Sequence, residues 1–338
     1  MLAKIKKWFI EFILITLAIS GCTRSAPVNV SSLDNGEKAG KGFSLLPEGL
    51  IKKKVTITPP GDYVQTLTVK EEILEGAKTR SYGLHVPVLY DGKTAVPLVI
   101  MLHGTGMSSA DFAQMTRFNA ISDSNGFIVI YPDAFGEQPM WNPGFFESSG
   151  ANDVVFISTL IDHMLQDFNI DPKTVFVGGY FDGGMMAYKL AAALPEKISA
   201  VGAVGSSVAF QKAANEVVTL EPALAPVSVF AIQGFLDETV PADMTKSLKK
   251  GTPGFMPGSS ALHYWLQNDG CDPTATIKKT KNENVIKRTF SCKNGTAVRW
   301  ISIWDGNHDW PGTNDKKASK TINASEAMWE FFVAHPRQ

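Results

Sequence analysis

Unbroken apolar runs dominate the middle of the chain. Val96-Pro97-Leu98-Val99-Ile100-Met101-Leu102 and Phe127-Ile128-Val129-Ile130-Tyr131 lack the polar alternation of a half-exposed strand. Such runs belong to strands buried on both faces of a parallel sheet. Between them Asp111 to Asn125 reads as a helix. Asp153 to Phe168 puts Val154, Ile157, Ile161, Met164, Leu165 and Phe168 on one stripe, which predicts an amphipathic helix. Thr174 to Val177 predicts a third strand, Gly183 to Leu194 a helix, and Ile198 to Val204 and Val227 to Ile232 two more strands. This alternation calls for right-handed crossovers and an α/β fold, a doubly wound, mostly parallel sheet with helices on both faces.

The flanks follow other rhythms. Tyr63 to Val69 alternates like an antiparallel strand, with Tyr82 to Val88 as its partner. Val285 to Phe290 and Ala297 to Trp304 form a last strand pair before a helix at Ser325 to Val333. Gly251 to Ser260, rich in Gly and Pro, reads as a loop bordering a cleft. Thr23 to Lys54 is rich in Ser, Gly, Asn and Lys without apolar periodicity and reads as a tether. Ahead of it, Lys4, Lys6 and Lys7 precede an apolar stretch from Trp8 to Ile19, interrupted by Glu11, that is shorter than the ~20 residues needed to span a bilayer. Leu17-Ala18-Ile19-Ser20-Gly21-Cys22 resembles the lipobox of bacterial lipoproteins. Cys22 stands where cleavage is expected, which favours lipidation over an ordinary secretory signal. The expected division is a signal peptide at 1–21, a tether at 22–54 and a catalytic-type domain at 55–338.

Composition narrows the partners. With 338 residues, 44% of them hydrophobic, the chain can bury one large domain. A net charge of −1, from 32 basic and 33 acidic residues, offers no electrostatic footprint for nucleic acid. The six histidines show no H-E-x-x-H or comparable spacing, so no metal site is expected. With Cys22 assigned to lipid, Cys271 and Cys292 remain as a disulfide pair in an exported protein, two free thiols being the alternative.

Candidate chemistry gathers at strand ends, where open α/β sheets bind ligands. His103-Gly104-Thr105-Gly106 follows the Val96 strand, and a flexible turn there can aim an N–H at a developing oxyanion. Gly179-Tyr180-Phe181-Asp182-Gly183-Gly184 lies between strand and helix like a G-x-S-x-G nucleophile elbow, but its central residue is Phe181. Thr105 and Asp182, the residue after the elbow's centre, are the expected oxyanion donors. Asp237 follows the Val227 strand and His308 follows the last strand. Elbow, acid, histidine is the chain order of α/β-hydrolases, with His308 as general base and Asp237 as its orienting acid.

These points, together with Asp111-Phe112, Tyr131-Pro132-Asp133, Trp141-Asn142, Asp153-Val154, Ile170-Asp171-Pro172, Met185 with Ala187, Gly270-Cys271 and Trp310-Pro311-Gly312, give the chain its likeness. From Val96 to Val333 it resembles the secreted polyhydroxybutyrate-depolymerase and feruloyl-esterase-like branch of the α/β-hydrolases. The resemblance implies hydrolysis of carboxylic esters or polyesters outside the cytoplasm, through an acyl-enzyme and without a cofactor. Three positions depart from the pattern: Phe181 replaces the serine, Gln233 stands where the family usually has His, and Phe235 stands where a small or hydroxyl residue is common. Phe181 and Phe235 are expected to pack together over the site. Asp182 fits poorly as a replacement nucleophile, and no elbow presents Ser206 or Ser207. The chain thus reads as an esterase impaired at its nucleophile, or as a tethered binding protein that kept the cleft. Trp141, Trp304 and Trp310 would supply a platform for such binding, or else pack in the core.

Overall fold

The computed structural model describes residues 58–70, 77–145, 151–213, 215–243 and 252–338. Residues 1–54, which include the expected signal peptide, Cys22 and the tether, lie outside them.

Strand β1 (Gly61–Lys70) pairs antiparallel with β2 (Ala77–Val86), and β2 in turn pairs antiparallel with β4 (Ile128–Pro132). The apolar runs then form a parallel core. It comprises β4, β3 (Val96–Leu102), β5 (Ile170–Tyr180), β6 (Ala200–Val204), β9 (Ser228–Gly234) and β13 (Ala297–Ile303). Two antiparallel strands, β12 (Val285–Ser291) and β11 (Thr276–Lys279), close the far edge. The complete order is β1-β2-β4-β3-β5-β6-β9-β13-β12-β11. The α/β class expected from the apolar runs is therefore observed.

Both faces of the parallel core are covered, which explains the missing alternation. Leu98, Ile100 and Leu102 of β3 pack with α3 (Asp153–Asp167), α4 (Asp182–Ala193) and α5 (Ser259–Asn268). Val99 and Met101 point the other way, toward α1 (Ser109–Thr116), α2 (Phe118–Asn125) and α6 (Ala324–Val333). There Phe176 stacks on Phe332 with ring centroids 5.0 Å apart, and Phe127 on Trp329 at 3.9 Å. Each such fully buried side chain contributes on the order of 1.5–3 kcal/mol.

Three details differ from expectation. The helix predicted at Asp111 to Asn125 is two helices, broken at Arg117, which takes a left-handed φ of 56°. The break lets Phe112 and Phe118 both enter the core. The stripe of α3 is carried by Phe156, Ile157, Leu160, Ile161 and Met164, while Val154 and Leu165 sit half-buried at its margin. Finally, β7 (Ala209–Ala213), β8 (Glu216–Thr219) and β10 (Gly254–Phe255) form a small separate sheet, in the order β10-β7-β8. The Gly251 to Ser260 stretch thus contributes a short strand as well as a loop.

Candidate active site

The turn from β5 into α4 is built by clearance. A Cβ on Gly179 would lie 2.3 Å from the Gly183 backbone, and one on Gly183 would lie 2.3 Å from the Leu102 carbonyl. Glycine at both positions lets strand, helix and the end of β3 meet. Phe181 at the apex has φ 52° and ψ −116°, a conformation L side chains rarely adopt. Holding it costs about 1–3 kcal/mol. Its N–H donates to the Val204 carbonyl at 3.0 Å, and its own carbonyl accepts from Met185 N–H at 3.0 Å and Ser206 Oγ at 2.9 Å. The strained elbow is present with phenylalanine on it.

Asp237 and His308 meet beside that apex. Oδ2 of Asp237 accepts from His308 Nδ1 at 2.9 Å. Its Oδ1 accepts the Thr239 and Val240 N–H groups at 2.9 and 2.8 Å. The carboxylate is fully buried, whereas the imidazole is 19% exposed. Room for the imidazole comes from Gly205, at φ 60°, where a Cβ would approach its ring to 3.2 Å. Tyr180, next to the apex, holds the histidine's loop by donating its hydroxyl to the His308 carbonyl at 2.8 Å. Burial keeps that phenol well above its ordinary pKa.

The ring of Phe181 stands over this pair. It meets the His308 imidazole edge to face, with centroids 4.9 Å apart, and meets Phe255 in the same manner at 5.1 Å. Phe255 pairs across the small sheet with Phe210. These rings, with Met140, Pro253, Thr105 and Lys212, line a cavity of about 530 Å³. The expected contact of Phe181 with Phe235 is not what forms. Phe235 leaves on the turn after β9 and packs on Trp304 at 4.4 Å, so the small sheet supplies the partner ring instead. Trp141 and Trp310 are buried in the core and give no exposed platform.

The oxyanion side also differs from expectation. The Thr105 N–H donates to Asp182 Oδ1 at 2.5 Å, and the Trp141 N–H to Asp182 Oδ2 at 2.9 Å. Thr105 is therefore committed to a carboxylate and not free for an ester oxygen. Asp182 begins α4 directly after the apex, which turns its side chain back toward the end of β3 while its N–H lies in the first turn. Burial pushes its carboxyl up to about 6, against the pull of the Trp141 and Thr105 donors. His103 is internal. Its Nε2 accepts the Ala134 N–H at 3.0 Å, which leaves Nδ1 to donate to the Gly104 carbonyl at 2.9 Å. Burial lowers its pKa.

Neither nearby serine is available to react. Ser206 spends its hydroxyl on the Phe181 and Val204 carbonyls, and Ser207 on that of Ala209. Both are buried. Cys271 and Cys292 are joined as a disulfide between the end of α5 and the end of β12. No group of three or more His, Cys, Asp or Glu able to hold a metal ion occurs among the described residues. Sequence reasoning missed Tyr180, Trp141 N–H, Phe255 and Gln233 as parts of the site. Each had left a trace without a role: Tyr180 inside the elbow, Trp141 among the points of resemblance, Phe255 in the loop expected to border a cleft, and Gln233 as a departure from the family pattern.

Residues 80–225 match the sequence profile of the family described as Esterase PHB depolymerase. A feruloyl esterase C of Emericella nidulans is 25% identical over 261 residues, covering 75% of this chain and 84% of its own. A feruloyl esterase B of Thermothelomyces thermophilus is 33% identical over 135 residues, 39% of this chain and 45% of that one. Over those residues the chain is similar to the polyhydroxybutyrate-depolymerase and feruloyl-esterase branch, and its mostly parallel sheet has the α/β-hydrolase fold. In fold it is similar to the acetyl xylan esterase from Aspergillus awamori, with a TM-score of 0.55 and 16% identity over 80% of this chain and 99% of the other. By family resemblance this α/β-hydrolase is a carboxylic ester hydrolase. Its elbow, acid and histidine follow the chain order of that fold.

Proposed function

We propose that this α/β-hydrolase is an exported ester hydrolase scaffold whose turnover is impaired by Phe181. It would be released from residues 1–21, anchored to a membrane through lipid on Cys22, and spaced from it by residues 22–54. Residues 55–338 would form the catalytic-type domain. The substrates that fit the relatives' names are short polyesters and feruloyl or acetyl esters. One observation carries the reading: a phenylalanine ring occupies the strained apex, 4.9 Å from the His308 ring.

With a hydroxyl at position 181, His308 would take its proton during attack on the ester carbonyl, and Asp237 would hold the imidazole's tautomer and steady its charge. The Asp182 N–H would face the oxyanion from the first turn of α4. Phenylalanine offers neither a proton nor a lone pair. Loss of a triad nucleophile leaves about 10³–10⁴-fold acceleration from binding and oxyanion contacts. The ring also takes up space an ester would need, so even that remnant should shrink.

A second reading is favoured by the aromatic cavity beside the apex: a tethered protein that binds esters or polymers and does not cut them. Hydrolysis of p-nitrophenyl butyrate by the purified protein and its Phe181→Ser variant tests the first. The parent should be silent and the variant active, with activity lost again in Phe181→Ser/His308→Ala. A parent active through His308 would refute impairment. If both are silent while folded, and Phe181→Ala weakens a measured ligand affinity, the binding reading stands instead.

A further inference from the structure

Gln233 is the penultimate residue of β9, four residues before Asp237, and is 2% exposed. Its Nε2 donates to Asp237 Oδ2 at 3.1 Å and to the Val240 carbonyl at 2.8 Å. Both neighbours only accept, so the amide must present its nitrogen to them. Its oxygen is then turned inward, buried and without a hydrogen-bond partner. Glycine at 258 makes room for that arrangement, since a Cβ there would lie 2.5 Å from Gln233 Oε1. A buried unpaired acceptor is destabilising, a cost that an apolar side chain of the same length would avoid. The protein keeps the amide nonetheless, and what it gains is a second donor on the oxygen that faces His308.

The carboxylate geometry explains the use of such a donor. Thr239 and Val240 N–H groups fix Oδ1 alone. A carboxylate held at one oxygen can still turn about its Cβ–Cγ bond, a broad and soft torsion. Gln233 fixes the other oxygen, and with it the plane of the group, toward His308 Nδ1. The same amide ties the 237–240 turn to the end of β9 through the Val240 carbonyl.

We propose that Gln233 is a positioning residue that aims the Asp237 carboxylate at His308, an inference that rests on the hydrolase reading of that pair. It acts only through Asp237 and touches no reacting atom. The test uses the low-field proton resonance of a histidine Nδ1–H donated to a carboxylate, recorded on the full protein with Phe181 in place. Asp237→Asn assigns the resonance by removing it. Gln233→Met, close in shape but without donors, should lose or broaden it while circular dichroism and melting remain those of a folded protein. Gln233→His, which restores a ring N–H at this position, should retain it. In the Phe181→Ser background, Gln233→Met should lower kcat about tenfold or more with KM unchanged, as expected when reacting groups are misaligned. A resonance unchanged in Gln233→Met, one lost in a folded Gln233→His, or none in the parent overturns the proposal. If Phe181→Ser hydrolyses nothing, the hydrolase reading fails separately, and the resonance alone decides the role of Gln233.

Discussion

Replacing Phe181 by alanine and by glycine separates the ring from the backbone beneath it. Both variants lose the contacts with His308 and Phe255, so those losses cancel in the comparison. What differs is the apex conformation, φ 52° and ψ −116°, which alanine holds under strain and glycine does not. Relief of that strain favours glycine by about 1–3 kcal/mol. Greater freedom of the unfolded chain penalises glycine by about 0.4–1 kcal/mol. Phe181→Gly should therefore exceed Phe181→Ala in stability by roughly 0.5–2 kcal/mol, the reverse of the order in ordinary helices and strands. At about 2 °C per kcal/mol for a domain of this size, the melting points should differ by about 1–4 °C. Thermal melts and urea midpoints read the difference directly. If alanine equals or exceeds glycine, the apex is not strained, and the argument that the elbow persists without its nucleophile fails.

Buried acids make stability fall with pH. Burial pushes Asp269 up to about 7, and its Oδ2 has no hydrogen-bond partner. A raised carboxyl pKa means that the folded state keeps its proton longer, so stability is full below about pH 4 and declines as pH rises toward 7. Asp269→Asn should flatten the melting temperature between pH 5 and pH 8, and an unchanged slope would reject the cause. Arg80 and Asp153 form a buried pair at 2.9 Å, with Arg80 also lying over the Phe156 ring. Asp153→Leu should cost about 3–5 kcal/mol in urea denaturation, and Arg80→Met/Asp153→Leu markedly less. Equal losses in the single and double variants would count against an uncompensated charge. Reducing the Cys271–Cys292 disulfide, which spans 21 residues of sequence, should cost about 3 kcal/mol, read as a drop in melting temperature with added thiol.

The parallel core could be read from sequence because a strand covered on both faces must be apolar throughout, as Val96 to Leu102 is. The break at Arg117 could not, since a left-handed arginine carries no glycine to announce it. Strands β7, β8 and β10 are short and mixed in polarity, and they depend on pairing with one another. Phe255 lies in a Gly/Pro-rich stretch whose composition points to a loop, so its contact with Phe181 had no local signature. Chain order suggested the Asp237 and His308 pair because each follows its own strand. The capture of Thr105 N–H by Asp182 depends on where a side chain swings across a tight turn, and spacing does not encode that. Gln233 stood out only as a departure from the family pattern, and its hydrogen bonds supply the meaning.

The clearances at Gly179 and Gly183 belong to the backbone and not to the side chain at the apex. Phenylalanine and serine codons differ by one pyrimidine exchange at the second base. On the proposed reading, the step between an impaired and a reactive apex in this scaffold is a single transition in the gene.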